Sequence, residues 1–235
     1  IDEIHRLPKH IEEILYSAME NFCVDMIVGQ GAGAKSVRLP LNPFTLIGAT
    51  TKTALLSGPL QTRFGIVERL DFYEPEELAQ IVQQVAQHLN IKLEFEACSE
   101  IGVRSRGTPR IAKRIMRRVR DYAQVHGKSI IDKAVATDAL EFLGVDAKGL
   151  SKLDRKILTH LVKDFGGGPV GLETLAAVTG EDKDTLEDFC EPFLLRLGLL
   201  QKTSRGRKIP DRKYRELRRD LVGDEEVEQV DLFVR

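Results

Sequence analysis

Ile1-Asp2-Glu3-Ile4-His5-Arg6-Leu7 stands at the head of the chain, and its reading decides the fold of the residues after it. An apolar residue, two adjacent acids and a helix-like run have the form of the end of a Walker B strand. Each acid has a distinct chemical use. The first, Asp2, can hold the water shell of Mg²⁺, an ion bound through one or two carboxylates plus substrate phosphates. The second, Glu3, can orient and polarise a water that attacks a γ-phosphate. Taken alone, the same pair is two solvated acids at a helix start. The hydrophobic run before the Asp is reduced to Ile1, and no G-x-x-x-x-G-K-[ST] phosphate loop occurs downstream.

Composition narrows the class. The 235 residues are 42% hydrophobic and 30% charged, a mixture with room for two or three compact units. A net charge of -1 excludes a global field toward nucleic acid, so any basic surface must be local. Cys23, Cys98 and Cys190 are far apart and form no CxxC pair. That spacing argues against a disulfide framework or a zinc site and fits a reducing cytoplasm. No apolar run approaches the about 18 residues of a membrane span, and no signal peptide is visible.

Periodicity then divides the chain. Ile11, Ile14, Leu15, Ala18, Met19 and Phe22 keep helical spacing after Pro8. Cys23 to Val28 and Ser36 to Leu41 flank Gly29-Gln30-Gly31-Ala32-Gly33, which predicts a hairpin with a long tip. Phe44 to Ala49 reads as a buried parallel strand ending in Thr50-Thr51. Leu60 to Phe64 is a short element closed by Gly65, and Ile66 to Phe72 is a further strand. Tyr73-Glu74-Pro75 marks a boundary. Four helices come next, over 76–89, 95–105, 109–122 and 131–143. From Arg104 to Arg120 the chain carries Arg106, Lys113, Arg114, Arg117 and Arg118 and no acid, which reads as a basic, solvated face. After a linker at 146–149, three helices and a basic hairpin, Leu199 to Ile209, have the order of a winged helix. Beyond Pro210, a basic block and then an acidic block read as a charged, mobile tail over 210–235.

Four local signals fall in one order: Asp2-Glu3, Gly48-Ala49-Thr50-Thr51, Leu60-Gln61-Thr62-Arg63-Phe64-Gly65 and Arg106-Gly107-Thr108-Pro109-Arg110. Together with Arg-Phe-Gly-Ile-Val, Gly-Thr-Pro-Arg-Ile-Ala and Phe-Gly-Gly-Gly-Pro-Val-Gly-Leu, the run from 1 to 209 closely resembles the RuvB family. These are the bacterial Holliday-junction branch-migration motors of the AAA+ class. The resemblance implies an α/β plus α fold: the later part of a P-loop ATPase core over 1–73 with a hairpin at 23–41, a helical lid over 74–146 and a winged-helix head over 147–209. The family's N-terminal third, with Walker A, is missing, so the run reads as an N-terminally truncated member. It further implies an ATP hydrolase and DNA translocase of recombination and repair, built as a homohexamer in the cytoplasm. ATP/ADP and Mg²⁺ are the implied cofactors. RuvA, the Holliday junction, duplex DNA and the RuvC resolvase are the implied partners.

Roles are assigned by position. Asp2 and Glu3 match Walker B, with Asp2 toward Mg²⁺ through water. Thr51 matches sensor 1. Arg63 matches an arginine finger acting on the next subunit's nucleotide. Arg110 matches sensor 2. Tyr73 matches a residue near the adenine. Glu20-Asn21-Phe22 matches a second nucleotide-side segment, although Asn21 and Phe22 depart from the family's Asp-Tyr. The hairpin matches the insertion that docks on RuvA, with Val24, Met26, Ile27 and Val28 as its apolar surface. In the winged helix, the groove helix starts Glu181-Asp182-Lys183-Asp184 and continues through Glu187-Asp188. Such a face repels phosphate, so DNA contact is expected from Lys202, Arg205 and Arg207, which position without reading sequence. The residues leave two other readings open: a non-catalytic DNA- or partner-binding remnant, and another winged-helix AAA+ protein such as a replication initiator or clamp loader. In the AAA+ strand order, the neighbour of the strands through Leu46 and Leu70 lies before Ile1, so open edges and low stability are expected over 1–73.

Overall fold

The computed structural model describes residues 1–28 and 35–223. Contacts divide the chain into a unit spanning Ile1–Leu70 and a second that begins at Asp71.

In the first unit a short helical turn, Ile4–Arg6, leads into helix α1, Lys9–Asn21. The antiparallel hairpin of β1, Cys23–Val28, and β2, Lys35–Pro40, comes next, and then helix α2, Gly58–Arg63. The hairpin register pairs Val24 with Leu39 and Met26 with Val37. Its expected glycine-rich tip at 29–34 lies outside the described residues, as do the side chains of Ile27 and Val28.

The strands expected at 44–49 and 66–72 are not formed. Phe44–Ala49 is extended, and its backbone bonds among the described residues run to the head of the chain: the Ile1 amino group donates to the Ile47 carbonyl at 2.7 Å. Ala49 N–H donates to Ile1 at 2.9 Å, and Ile4 N–H donates to Ala49 at 3.0 Å. Ile66–Phe72 joins no ladder. A strand is defined by its partner's hydrogen bonds, and among the described residues these segments make too few to form a ladder. The consequence is visible in the side chains: Ile47 is 75% exposed, Ile66 79%, Val67 76% and Leu70 94%. Apolar residues this exposed in consecutive extended segments are a ready aggregation edge.

The second unit holds two cores. The first is the helical lid: α3, Pro75–His88; α4, Phe95–Val103; α5, Pro109–Val125; and α6, Lys133–Phe142. Leu78, Val82, Ile101, Met116, Val119 and Leu140 fill its centre. α3 is started by a capping box between Glu74 and Glu77 with Pro75 at its first turn. α5 buries Ala112, Ile115, Met116, Val119 and Ala123 on one stripe and leaves Arg110, Lys113, Arg114 and Arg117 exposed on the other.

The second core is the winged helix: α7, Lys152–Lys163; α8, Leu172–Thr179; a π-helical turn, Thr185–Cys190, continuing into α9, Glu191–Arg196; and the wing strands β3, Gln201–Thr203, and β4, Gly206–Lys208. Val170 bridges Arg207 and makes a short third strand. Gly206 is obligatory there: its φ is 131°, and a Cβ would lie 2.2 Å from the Val170 carbonyl. The expected mobile tail is wrong for its first half. Asp211–Val222 is a helix, α10, whose Leu217 is fully buried in the winged-helix core with Tyr214 and Leu221 against it. Apolar residues at 214, 217 and 221 keep helical spacing inside the basic block, and their burial overrides its charge. Residues 224–235 lie outside the described part.

Unpaired segments should open locally, while α5 opens only with its core. Amide exchange at Thr45–Gly48 and Val67–Leu70 is therefore expected to be at least about tenfold faster than at Ile115–Val119. Equal protection in a mass-spectrometric exchange course would show that these segments close in solution.

Candidate functional site

Four residues anticipated or adjacent in sequence meet at the head of the first unit. Glu3 sits in the left-handed region, φ 48°, in the turn Asp2-Glu3 that leads into the helical turn. The Thr51 hydroxyl lies 3.5 Å from the Glu3 carboxylate. His5 Nδ1 is 3.2 Å from the same carboxylate and 2.8 Å from the Thr50 hydroxyl. Asp2 is exposed, and its Oδ1 accepts the Glu3 N–H at 3.0 Å, leaving its other oxygen open. One exposed carboxylate fits a Mg²⁺ ion carried mainly by water and phosphate oxygens, rather than a protein cage. Among the described residues no cluster of three or more metal-ligating side chains occurs.

A second group is built by α1 and α2. Ser57 caps α2 by accepting the Leu60 N–H at 3.3 Å, and its hydroxyl donates to the buried Glu12 at 2.6 Å. Tyr16 donates to Glu12 at 3.2 Å. These bonds seat α2 on α1, so that Arg63, at the end of α2, lies over the Tyr16 ring, 4.3 Å from its centroid. Its Nε stands 2.9 Å from Glu20 in an ion pair not aligned as a hydrogen bond. The structure thus joins two anticipated residues, Arg63 and Glu20. Phe22 ends α1 in the left-handed region and packs edge-on against Phe44 at 5.9 Å, while Asn21 is exposed.

In the second unit, the Tyr73 N–H donates to the Gly107 carbonyl at 3.0 Å, and the Tyr73 ring is half exposed. Arg110 projects from the first turn of α5, and among the described residues no carboxylate pairs with it. Arg104 and Arg106 overturn the solvated-face expectation, since both are buried. The Arg106 guanidinium pairs with the fully buried Asp154 of α7. It also donates to the Gly149 carbonyl at 3.2 Å and faces Phe193, 4.7 Å from its ring centre. The same Asp154 oxygen accepts the Ser151 N–H at 2.7 Å and hydroxyl at 2.6 Å, the capping box of α7. Burial and then the Asp154 charge push the nearby Cys190 thiol up to about 12. Sequence reasoning missed Asp154; Ser151-x-x-Asp154 signals a helix start, and nothing in it signals burial. A cavity of about 510 Å³, lined by Phe72, Tyr73, Gly107 and Arg196 among others, opens beside this junction. There Arg196 stacks on Phe72 at 4.4 Å.

The wing places its three expected cations differently. Lys202 and Arg207 are cross-strand partners. Lys202 Nζ lies 2.6 Å from Glu191, and Arg207 Nε donates to Glu191 at 2.6 Å. Arg205, at the turn, is exposed, and among the described residues no carboxylate pairs with it. Glu191 was not anticipated, because an acid among acids gives no sign of facing the wing. On the hairpin, Val24 and Met26 share a face with Leu39 and Val37, and Met26, Val37 and Leu39 are exposed.

Comparison with known proteins bears on these groups. The family model for the Holliday junction DNA helicase RuvB P-loop domain matches residues 1–70. The RuvB AAA lid domain matches 73–146, and the RuvB C-terminal winged helix domain matches 147–218. The Holliday junction branch migration complex subunit RuvB 1 of Synechococcus sp. (strain JA-3-3Ab) is 57% identical over 217 residues, 92% of this chain and 57% of that protein. Subunit RuvB 2 of the same strain is 58% identical over 209 residues, 89% of this chain and 56% of that protein. The chain therefore spans a little over half the length of these relatives. The solved Thermotoga maritima RuvB Holliday junction branch migration motor superimposes with a TM-score of 0.77 at 44% identity, over 93% of this chain and 68% of that one. With all three models drawn from one family, the initiator and clamp-loader alternatives fall.

Proposed function

The chain belongs to the RuvB family, and from that premise we propose that it forms part of an ATP-driven motor subunit that moves Holliday junctions in recombination and repair. The observation that carries this reading is the meeting of Glu3 and Thr51, which brings a water-orienting acid and a phosphate-sensing hydroxyl together from sequence positions far apart. Asp2 would hold Mg²⁺ through water, and the ion would neutralise charge on the phosphates of ATP. Glu3 would orient the attacking water, with His5 fixing its carboxylate. Arg63, released from Glu20, would reach a neighbouring subunit's nucleotide in a homohexameric ring; such fingers raise kcat by about 10³–10⁵ in GTPases. Arg110 and Tyr73 would contact the phosphates and the adenine, with Glu20, Asn21 and Phe22 on the nucleotide side.

In this reading the hairpin docks on RuvA through the apolar face of Val24 and Met26, continued by Val37 and Leu39. Ile27 and Val28, expected on this surface from the sequence, have side chains outside the described residues. The wing holds duplex DNA by its phosphates through Lys202, Arg205 and Arg207, and the RuvC resolvase acts on the same junction.

Met26→Glu would put a charge in the middle of the hairpin face and is expected to abolish RuvA binding in a titration while sparing duplex binding. Unchanged RuvA affinity would return the hairpin to a purely structural role. Arg205→Ala should weaken binding of unrelated duplex sequences alike and lower the slope of log K against log salt by about 0.9. A change in sequence preference would mean that the wing reads bases.

A further inference from the structure

Two of the wing's cations, Lys202 and Arg207, are already neutralised from within the fold. Lys202 and Arg207 face each other across β3 and β4, where like charges repel. Two carboxylates from the preceding helix offset them. Glu191 binds both cations, and Glu187 lies 3.4 Å from Lys202 and 3.6 Å from Arg207. The group is graded in depth. Glu191 is 2% exposed and takes Arg207 in a two-pronged bond, 2.6 and 3.3 Å, so this inner pair is fixed. Glu187 and Lys202 are both nearly half exposed, so this outer pair is solvated and exchangeable. Glu187 also lies in the π-helical turn Thr185–Cys190, a local irregularity common at functional sites.

We propose that Glu187 holds, in the DNA-free wing, the place of a backbone phosphate on Lys202, and is displaced from it when duplex binds. Glu187 is then the residue that sets how hard the wing grips. The Lys202 ammonium never loses a counter-charge: it passes from carboxylate to phosphate and back. Binding is weakened and release is hastened, which suits a wing that must let go of each phosphate to move to the next. The acids of the groove helix thus have a use beyond keeping that helix off DNA. The inference rests on the reading of the wing as a phosphate grip.

The test is fluorescence anisotropy of a labelled mixed-sequence duplex across a salt series, with the full chain and five variants. Glu187→Gln should tighten binding about three- to tenfold at low salt and steepen the slope by about 0.9, as Lys202 keeps Glu191 on its buried side and its solvent side opens to one more phosphate. Stopped-flow dissociation should slow in proportion. Lys202→Ala with Glu187→Gln should bind no more tightly than Lys202→Ala alone. Glu173→Gln removes a similar exposed carboxylate, paired with Lys183, and should change little. If Arg205→Ala weakens binding and Glu187→Gln does not tighten it, this inference fails and the wing reading stands. If the double variant keeps the gain, or Glu173→Gln gives the same gain, the effect is net charge and the inference is overturned. If Arg205→Ala changes nothing, the wing is not the grip and both fall.

Discussion

The Arg106–Asp154 ion pair is the constraint from which the arrangement of the second unit derives. Taking two charges out of water costs several kcal/mol per ion, offset only when the remaining donors and acceptors are met. Here the Ser151 N–H and hydroxyl both donate to one Asp154 oxygen, the Gly149 carbonyl takes a second Arg106 N–H and Phe193 covers the guanidinium face, while among the described residues Asp154 Oδ1 and Arg106 Nη1 are buried without a partner, so the offset is incomplete. Such a pair is weak evidence for added stability, but breaking it by removing one partner costs about 3–5 kcal/mol. Its value is positional. Arg106 lies in the left-handed region, φ 54°, at the loop that leads directly into Pro109-Arg110. Fixing its side chain on α7 fixes that loop, and so ties the start of α5 to the winged helix.

A pattern of guarded cations runs through the rest. Arg63 rests on Glu20 and Tyr16, and Lys202 and Arg207 rest on Glu191, while among the described residues no acid pairs with Arg110 or Arg205. The guarded residues differ in what release would cost. The exposed contact of Lys202 with Glu187 is worth about 0–1 kcal/mol, a small barrier to exchange for phosphate. The buried pair at Asp154 is not exchangeable on that scale. Solvation thus separates cations that can change partner from one that holds the scaffold. It also accounts for a net charge of -1 in a protein proposed to grip DNA: the compensating acids are beside the cations they serve.

Much of this is legible in sequence. The lid and winged helix announce themselves through helical periodicity and through Pro75, Pro109 and the basic turn at Arg205, because each element carries its own buried stripe. Thr51 and Glu3 are assigned to one site by their motifs alone, and their side chains lie 3.5 Å apart. Strands at 44–49 and 66–72 are legible as apolar runs, yet a strand also needs a hydrogen-bonded partner, and no local signal reports whether one is at hand. The helix α10 is hidden because charge dominates its composition, while Leu217 and its neighbours decide its packing. Arg106 reads as one more solvated arginine, since burial of a charge depends on a carboxylate distant in sequence. Glu191 is unreadable for the same reason.

The claim that Arg106 and Asp154 join lid and winged helix is tested most directly by denaturant unfolding of wild type, Arg106→Met, Asp154→Asn and the double variant. Amide exchange would be followed separately in α5 and α7. In the wild type both helices should lose protection at one midpoint. Either single substitution should destabilise by about 3–5 kcal/mol and split the midpoints, and the double should lose less than the sum of the two. Midpoints that stay together in Arg106→Met, with strictly additive losses in the double variant, would contradict the claim.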